Sequence, residues 1–173
     1  MIKSCVIGLS KIGQIHCNNL KKIKITSLNF VYDKDQTLRN NAAKKFKCQT
    51  SNNFEEILRN KEIELFIIAS PTTTHEYYLN KLIQYKKIIY CEKPISLNAS
   101  KLNSLVKRIK SKKIKICIGL NRRFSDAYIK MKKLIKNKKV KIIQIISRSS
   151  NANVKQSVRN GGLFMDKGFH FFD

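Results

Sequence analysis

The chain contains no tryptophan, only two prolines, and 11 acidic residues against 36 basic ones among its 173 residues. No apolar run approaches the roughly 20 residues that a helix needs to cross a bilayer. Met1-Ile2-Lys3 leads straight into an apolar strand pattern rather than into a signal peptide. These absences argue against a helical membrane span and for a soluble, cytoplasmic protein. Cysteines stand at 5, 17, 48, 91 and 117, with no C-x-x-C pair and no Cys/His spacing that would hold a metal. Four of the five sit in or beside apolar patterns, as small core residues of a reducing compartment do.

The shortage of acids leaves a net charge of +25, which raises the possibility of nucleic acid or an anionic membrane surface as partner. The pattern argues against a specific nucleic-acid reader. Lysine outnumbers arginine several-fold and is spread over every segment, whereas base readers lean on arginine and interleaved aromatics. The densest patches, 107–115 and 130–141, fall on the polar sides and ends of predicted helices, where lysine is solvated. Weak, salt-sensitive sticking to polyanions is the most that this charge implies.

What the sequence does have is a punctuated beginning. In IKSCVIGLSKIG, from Ile2 to Gly13, a short apolar run breaks into a glycine turn and then into a helical pattern. Gly8 permits a tight turn and Gly13 lets the helix lie close against a sheet, while the amides at the helix start favour an anion. The spacing is G-x-S-x-x-G, with Ser10 in the middle position, and alone it is a weak sign. Asp33 adds context. It follows the apolar run Leu28 to Tyr32 at the distance where a dinucleotide fold carries the carboxylate that takes the ribose diol. A carboxylate there repels a 2′-phosphate and argues for NAD over NADP; Lys34 and Arg39 nearby weaken that preference and leave NADP open. The competing role for Asp33 is to cap the helix that begins at Gln36.

Strand and helix patterns then alternate. Helices are predicted over about 12–20, 36–46, 54–59 and 98–110, with strands over about 25–32, near Cys48, at 65–69, 88–91 and 115–118. One more helix should follow Pro71, capped by one of Thr72 to Thr74. His16, on the second turn of the first helix, reads as a packing or capping residue. The runs LFIIA and IIYC are apolar at consecutive positions, the mark of strands covered on both faces. The two prolines, Pro71 and Pro94, stop them. Parallel sheets of this kind bind ligands beyond the carboxyl ends of their strands, so Gly8, Asp33, Pro71 and Lys93 should share one edge. The fold class is α/β: a Rossmann-like parallel sheet with helices on both faces over 1–120, followed by the start of an incomplete α+β domain over 121–173.

In that second piece a basic amphipathic helix is predicted from Asn121 to about Asn137, then a lone strand from Lys141 to Arg148. The last stretch, GGLFMDKGFHFFD, holds Asp166 and His170 four residues apart, on one face if the segment is helical. A carboxylate so placed can orient an imidazole as a general base. The alternative is two unrelated polar residues. The sequence stops at Asp173, inside this element, so the second domain is expected to be truncated.

With these pieces in order, GLSKIGQIH, ASPTTTH, CEKPIS, GLNRRF and GGLFMDKGFHFFD together resemble the glucose-fructose oxidoreductase and inositol dehydrogenase family, and E-K-P, N-R-R-F and G-G-x-x-x-D-x-x-x-H look most like its inositol 2-dehydrogenase branch. The resemblance implies an NAD(P)-dependent enzyme that moves hydride from a polyol or cyclitol carbon to nicotinamide, and a homo-oligomer. It implies that Lys93 holds the reacting hydroxyl, His170 takes its proton and Asp166 assists. It further implies cofactor-side positions at Gly8, Ser10, Ile12, Gly13, Asp33, Ser70, Thr72, His75 and Glu92. Two residues depart from the family pattern: Ser10 stands for a glycine, and Phe171 for the aspartate that usually follows the histidine. Ser10 and the expected truncation support a second reading, a catalytically inactive nucleotide-binding fragment or interaction module of the same family.

Overall fold

The computed structural model describes residues 1–136. The chain divides into two compact units, Met1–Gly119 and a second from Leu120 onward. The strand expected over 141–148 and the pair Asp166 and His170 lie outside the described residues.

The first unit is built on β1 (Ile2–Ile7), β2 (Thr26–Tyr32), β3 (Gln49–Thr50), β4 (Leu65–Ile68), β5 (Ile88–Cys91) and β6 (Ile116–Ile118). All pairings are parallel, in the order β3-β2-β1-β4-β5-β6. Successive strands run outward from β1 on one side, then the chain crosses back and builds outward on the other. The reversal falls between β1 and β4, the topological switch point of such a sheet.

Helices cover both faces of β1 and β4, and the two-residue period of the strands decides which residues meet which helices. β5 is buried on one face only, since Ile88 and Tyr90 stay half-buried and Cys117 of β6 is exposed, so the two-sided burial expected of IIYC is not found. From β1, Cys5 and Ile7 join Phe66, Ile68, Ile89 and Cys91 in a core packed against α3 (Phe54–Arg59), α4 (His75–Gln84) and α5 (Ala99–Ser111). Val6 turns the other way and, with Val31 and Ile67, packs on Cys17 and Leu20 of α1 (Lys11–Lys22) and Ala42 and Phe46 of α2 (Gln36–Phe46). The consecutive apolar run of β4 follows from this: Phe66, Ile67 and Ile68 are all buried because both faces are covered.

Helix starts follow local chemistry. Asp35 accepts the Thr37 and Leu38 amides at the head of α2. Asn53 takes the Glu55 amide for α3, and Asn98 takes the Lys101 amide for α5. At α4 the expected threonine cap is not made. Residues Thr72–Thr74 form a 3-10 turn, and the Thr74 hydroxyl is engaged instead with Ser70 Oγ, 2.7 Å, and Pro71 O, 2.7 Å. The first helix of the second unit also starts later than its pattern predicts. Asn121–Phe124 is a 3-10 turn and Ser125 is extended, so α6 runs Asp126–Lys136.

Candidate functional site

Strand register sets the site. Ile7 pairs with Tyr32 and Ile68, Ile68 with Cys91, and Cys91 with Ile118. The next residues along, Gly8, Asp33, Ala69, Glu92 and Gly119, therefore emerge in one row at the carboxyl edge. Gly8 N–H donates to Tyr32 O at 2.9 Å, Ala69 N–H to Ile7 O at 2.8 Å, Glu92 N–H to Ile68 O at 2.9 Å, and Gly119 N–H to Cys91 O at 2.8 Å.

At the centre of the row the chain turns at Gly8, whose φ is +89°. A Cβ there would lie 2.4 Å from Ser70 N, and one on Gly13 would lie 1.7 Å from Gly8 O. Glycine is thus demanded twice by close backbone approach. Ser10 is a different case. Its φ of −66° and ψ of −170° suit any residue, so the middle position of the turn needs no glycine for its conformation. Ser10 precedes α1 without a side-chain capping bond, and the first turn of α1, with Ile12 exposed, carries no acid. The first helical bond is Gln14 N–H to Ser10 O, 3.0 Å, which leaves the Lys11, Ile12 and Gly13 amides without an intrahelical acceptor.

Asp33 sits beside that turn. Its Oδ2 accepts the Leu9 N–H at 2.7 Å and its Oδ1 the Asp35 N–H at 3.0 Å. The helix-capping role belongs to Asp35, two residues on. Each oxygen of Asp33 retains further acceptor capacity for a diol. Arg39, 8% exposed, donates from Nη1 to Asp33 O at 2.8 Å. Its guanidinium is committed to the strand end rather than presented outward.

On the other side of the switch point, Ser70 follows β4 and Thr72 opens the 3-10 turn, both half-buried. His75 lies beneath the edge, 1% exposed, with Nδ1 2.8 Å from Pro94 O and Nε2 2.8 Å from Ser70 O. It fastens one loop to another and has no open face for a ligand. Glu92 and Lys93 are half-buried after β5. His16 Nε2 reaches Glu92 Oε1 at 2.8 Å, so this histidine does more than pack. Neither that pair nor the Tyr90 hydroxyl beside it was visible in the sequence, because 76 positions separate His16 from Glu92. The structure thus gathers Gly8, Ser10, Ile12, Gly13, Asp33, Ser70, Thr72, Glu92 and Lys93 around one edge, with His75 under it.

The residues present fit a dinucleotide. Two glycines hold backbone where a Cβ would collide, an uncapped helix start offers amides to a diphosphate, and a carboxylate stands at the end of β2. Fold and site together define a nucleotide-binding protein of the Rossmann class.

Residues 2–120 match the oxidoreductase family with NAD-binding Rossmann fold, and the chain belongs to that family. It is 30% identical over 173 residues to myo-inositol 2-dehydrogenase of Thermotoga maritima, covering 97% of this chain and 52% of that protein. To inositol 2-dehydrogenase of Rhizobium meliloti it is 28% identical, with the same coverage of each. The chain thus spans about half the length of the curated relatives it matches. Among solved structures, a Sinorhizobium meliloti protein described provisionally as a myo-inositol dehydrogenase superposes with a TM-score of 0.86 at 25% identity, over 99% of this chain and 53% of that one. Scyllo-inositol dehydrogenase from Lactobacillus casei, solved with NAD(H) and scyllo-inositol bound, gives a TM-score of 0.74 at 25% identity, over 79% and 41%. No described helix is long and apolar enough to cross a membrane.

Proposed function

We propose that this chain supplies the NAD-binding half, and the lysine of the reaction centre, of a dehydrogenase that oxidises a secondary hydroxyl of a cyclitol or related polyol. The observation that carries the reading is the shared edge: the glycine turn, Asp33 and the Glu92-Lys93-Pro94 corner emerge side by side from paired strands. The Lys11 to Gly13 amides would hold the diphosphate and Asp33 the adenine ribose. NAD is favoured over NADP because Asp33 would repel a 2′-phosphate and Arg39 is held by a backbone carbonyl.

Lys93 stands where a cation is useful. Removing hydride from an alcohol carbon requires the hydroxyl proton to leave, and an ammonium beside that oxygen lowers the energy of the developing alkoxide. In this reading His170 accepts the proton as a neutral imidazole, and Asp166 orients it. When bound, nicotinamide supplies the hydride acceptor. The inositol dehydrogenases among the relatives make cyclitols the first substrates to try.

The test is titration of the 173-residue chain with NADH, followed by cofactor fluorescence, which no tryptophan overlaps. Saturable binding in the micromolar range, with NADPH weaker, is expected. A folded chain that binds neither nucleotide overturns the reading. Binding without NAD reduction on any inositol isomer would favour the nucleotide-binding module over the enzyme.

A further inference from the structure

The two residues flanking Lys93 are each held by a histidine from a different helix. On the amino side, Glu92 receives His16 Nε2 at 2.8 Å, a pair only 15% and 24% exposed at its side chains. The His16 ring lies edge-to-face against Tyr90, with centroids 5.1 Å apart and planes at 62°. The Tyr90 hydroxyl also bonds to Glu92, and burial first, then that carboxylate, pushes its pKa up to about 12. A Cβ on Gly119 would lie 2.9 Å from both Glu92 Oε2 and the Tyr90 hydroxyl, so the backbone just after β6 packs against the cluster. On the carboxyl side, His75 holds the Pro94 carbonyl.

We propose that His16 is a positioning residue: through Glu92 it fixes the direction of Lys93 and ties it to α1, the helix whose first turn faces the diphosphate. His16 is one turn beyond Gly13, so any displacement of the glycine turn moves the imidazole that grips Glu92. A half-buried carboxylate held by an imidazole and a phenol cannot swing without leaving partners unpaired, and the backbone that carries Lys93 is fixed with it. The value of that fixation for catalysis rests on the role proposed above for Lys93; the fixation itself does not.

The experiment is competitive trace acylation of the nucleotide-free chain with a small amine reagent. The labelling of Lys93 relative to the other lysines is read by mass spectrometry after cleavage at glutamate. His16→Leu should change the relative rate at Lys93 by about threefold or more, the coupling expected of groups in one network. His16→Gln, whose amide can still donate to Glu92, should restore it. A purely structural role would lower the melting temperature without singling out Lys93. An unchanged Lys93 rate in folded His16→Leu protein overturns the proposal. Should that variant not fold, His16→Phe, which keeps a ring against Tyr90 but removes the nitrogen that reaches Glu92, is read in the same way, and an unchanged rate there overturns it equally. No cofactor enters the measurement, so a failure of wild-type chain to bind NADH would count against the proposed function and leave this result standing.

Discussion

Gly13 lies so close to Gly8 that a methyl group on the first would sit 1.7 Å from the carbonyl oxygen of the second. Helix α1 can therefore approach the end of β1 only because Gly13 has no side chain; the bare Gly8 instead makes room for the Ala69-Ser70 backbone after β4. Gly13→Ala should cost about 3 kcal/mol, the upper end of ordinary overpacking, and should weaken NADH binding by moving the helix start. Thermal melting and the NADH titration check both. Ser10→Gly is the control: with φ already negative and no capping bond to lose, its stability should change by only a few tenths of a kcal/mol, about the cost of a serine-to-glycine cap change.

Asp33→Asn keeps an oxygen for the Leu9 amide but removes the charge. NADH affinity should fall about tenfold, roughly 1.4 kcal/mol, and the margin over NADPH should narrow. Comparing the two titrations decides it; an unaltered NADH affinity would remove Asp33 from the ribose site.

Lys93→Ala should leave NADH affinity within about twofold, less than 0.5 kcal/mol, while abolishing any NAD reduction on a cyclitol. A parallel loss of binding and turnover would instead make Lys93 a cofactor or folding residue.

Glu55 gives a pH dependence with a definite sign. The Lys81 ammonium, by hydrogen bond, and then the Tyr85 hydroxyl hold its carboxyl below the ordinary value of 4.5. A lowered pKa means that the contribution to stability is complete above the unfolded value and is lost as pH falls through the folded one. Chemical denaturation of wild type and Glu55→Gln should therefore converge as pH drops below the carboxylate range. Because the pair is about one-third exposed, the difference should also shrink with added salt.

The cysteines should divide by reactivity. Burial pushes Cys17 up to about 12 and Cys48 up to about 11, and raises Cys5 and Cys91 strongly as well, whereas Cys117 is exposed. Since the thiolate is the nucleophile, iodoacetamide at neutral pH should modify Cys117 first. Peptide mass spectrometry over time reads the order.

Much of this molecule was legible in one dimension because its signals are local. The unbroken apolar runs of β4 and β5, the glycines at 8 and 13 and the two prolines that stop strands each act within a few residues of themselves. They determined an alternating α/β chain with a glycine turn and placed Asp33 and Lys93 at strand ends. Local signals erred where several groups compete for one partner: the Thr74 hydroxyl went to Ser70 and Pro71 instead of capping α4, and Asp35, not Asp33, took the head of α2. Only the tertiary structure could decide that Arg39 is spent on the Asp33 carbonyl, that His75 is buried between Ser70 and Pro94, and that His16 meets Glu92. Those contacts join residues brought together by strand order and helix packing, and a choice among polar partners far apart in sequence is made by the geometry of the folded sheet.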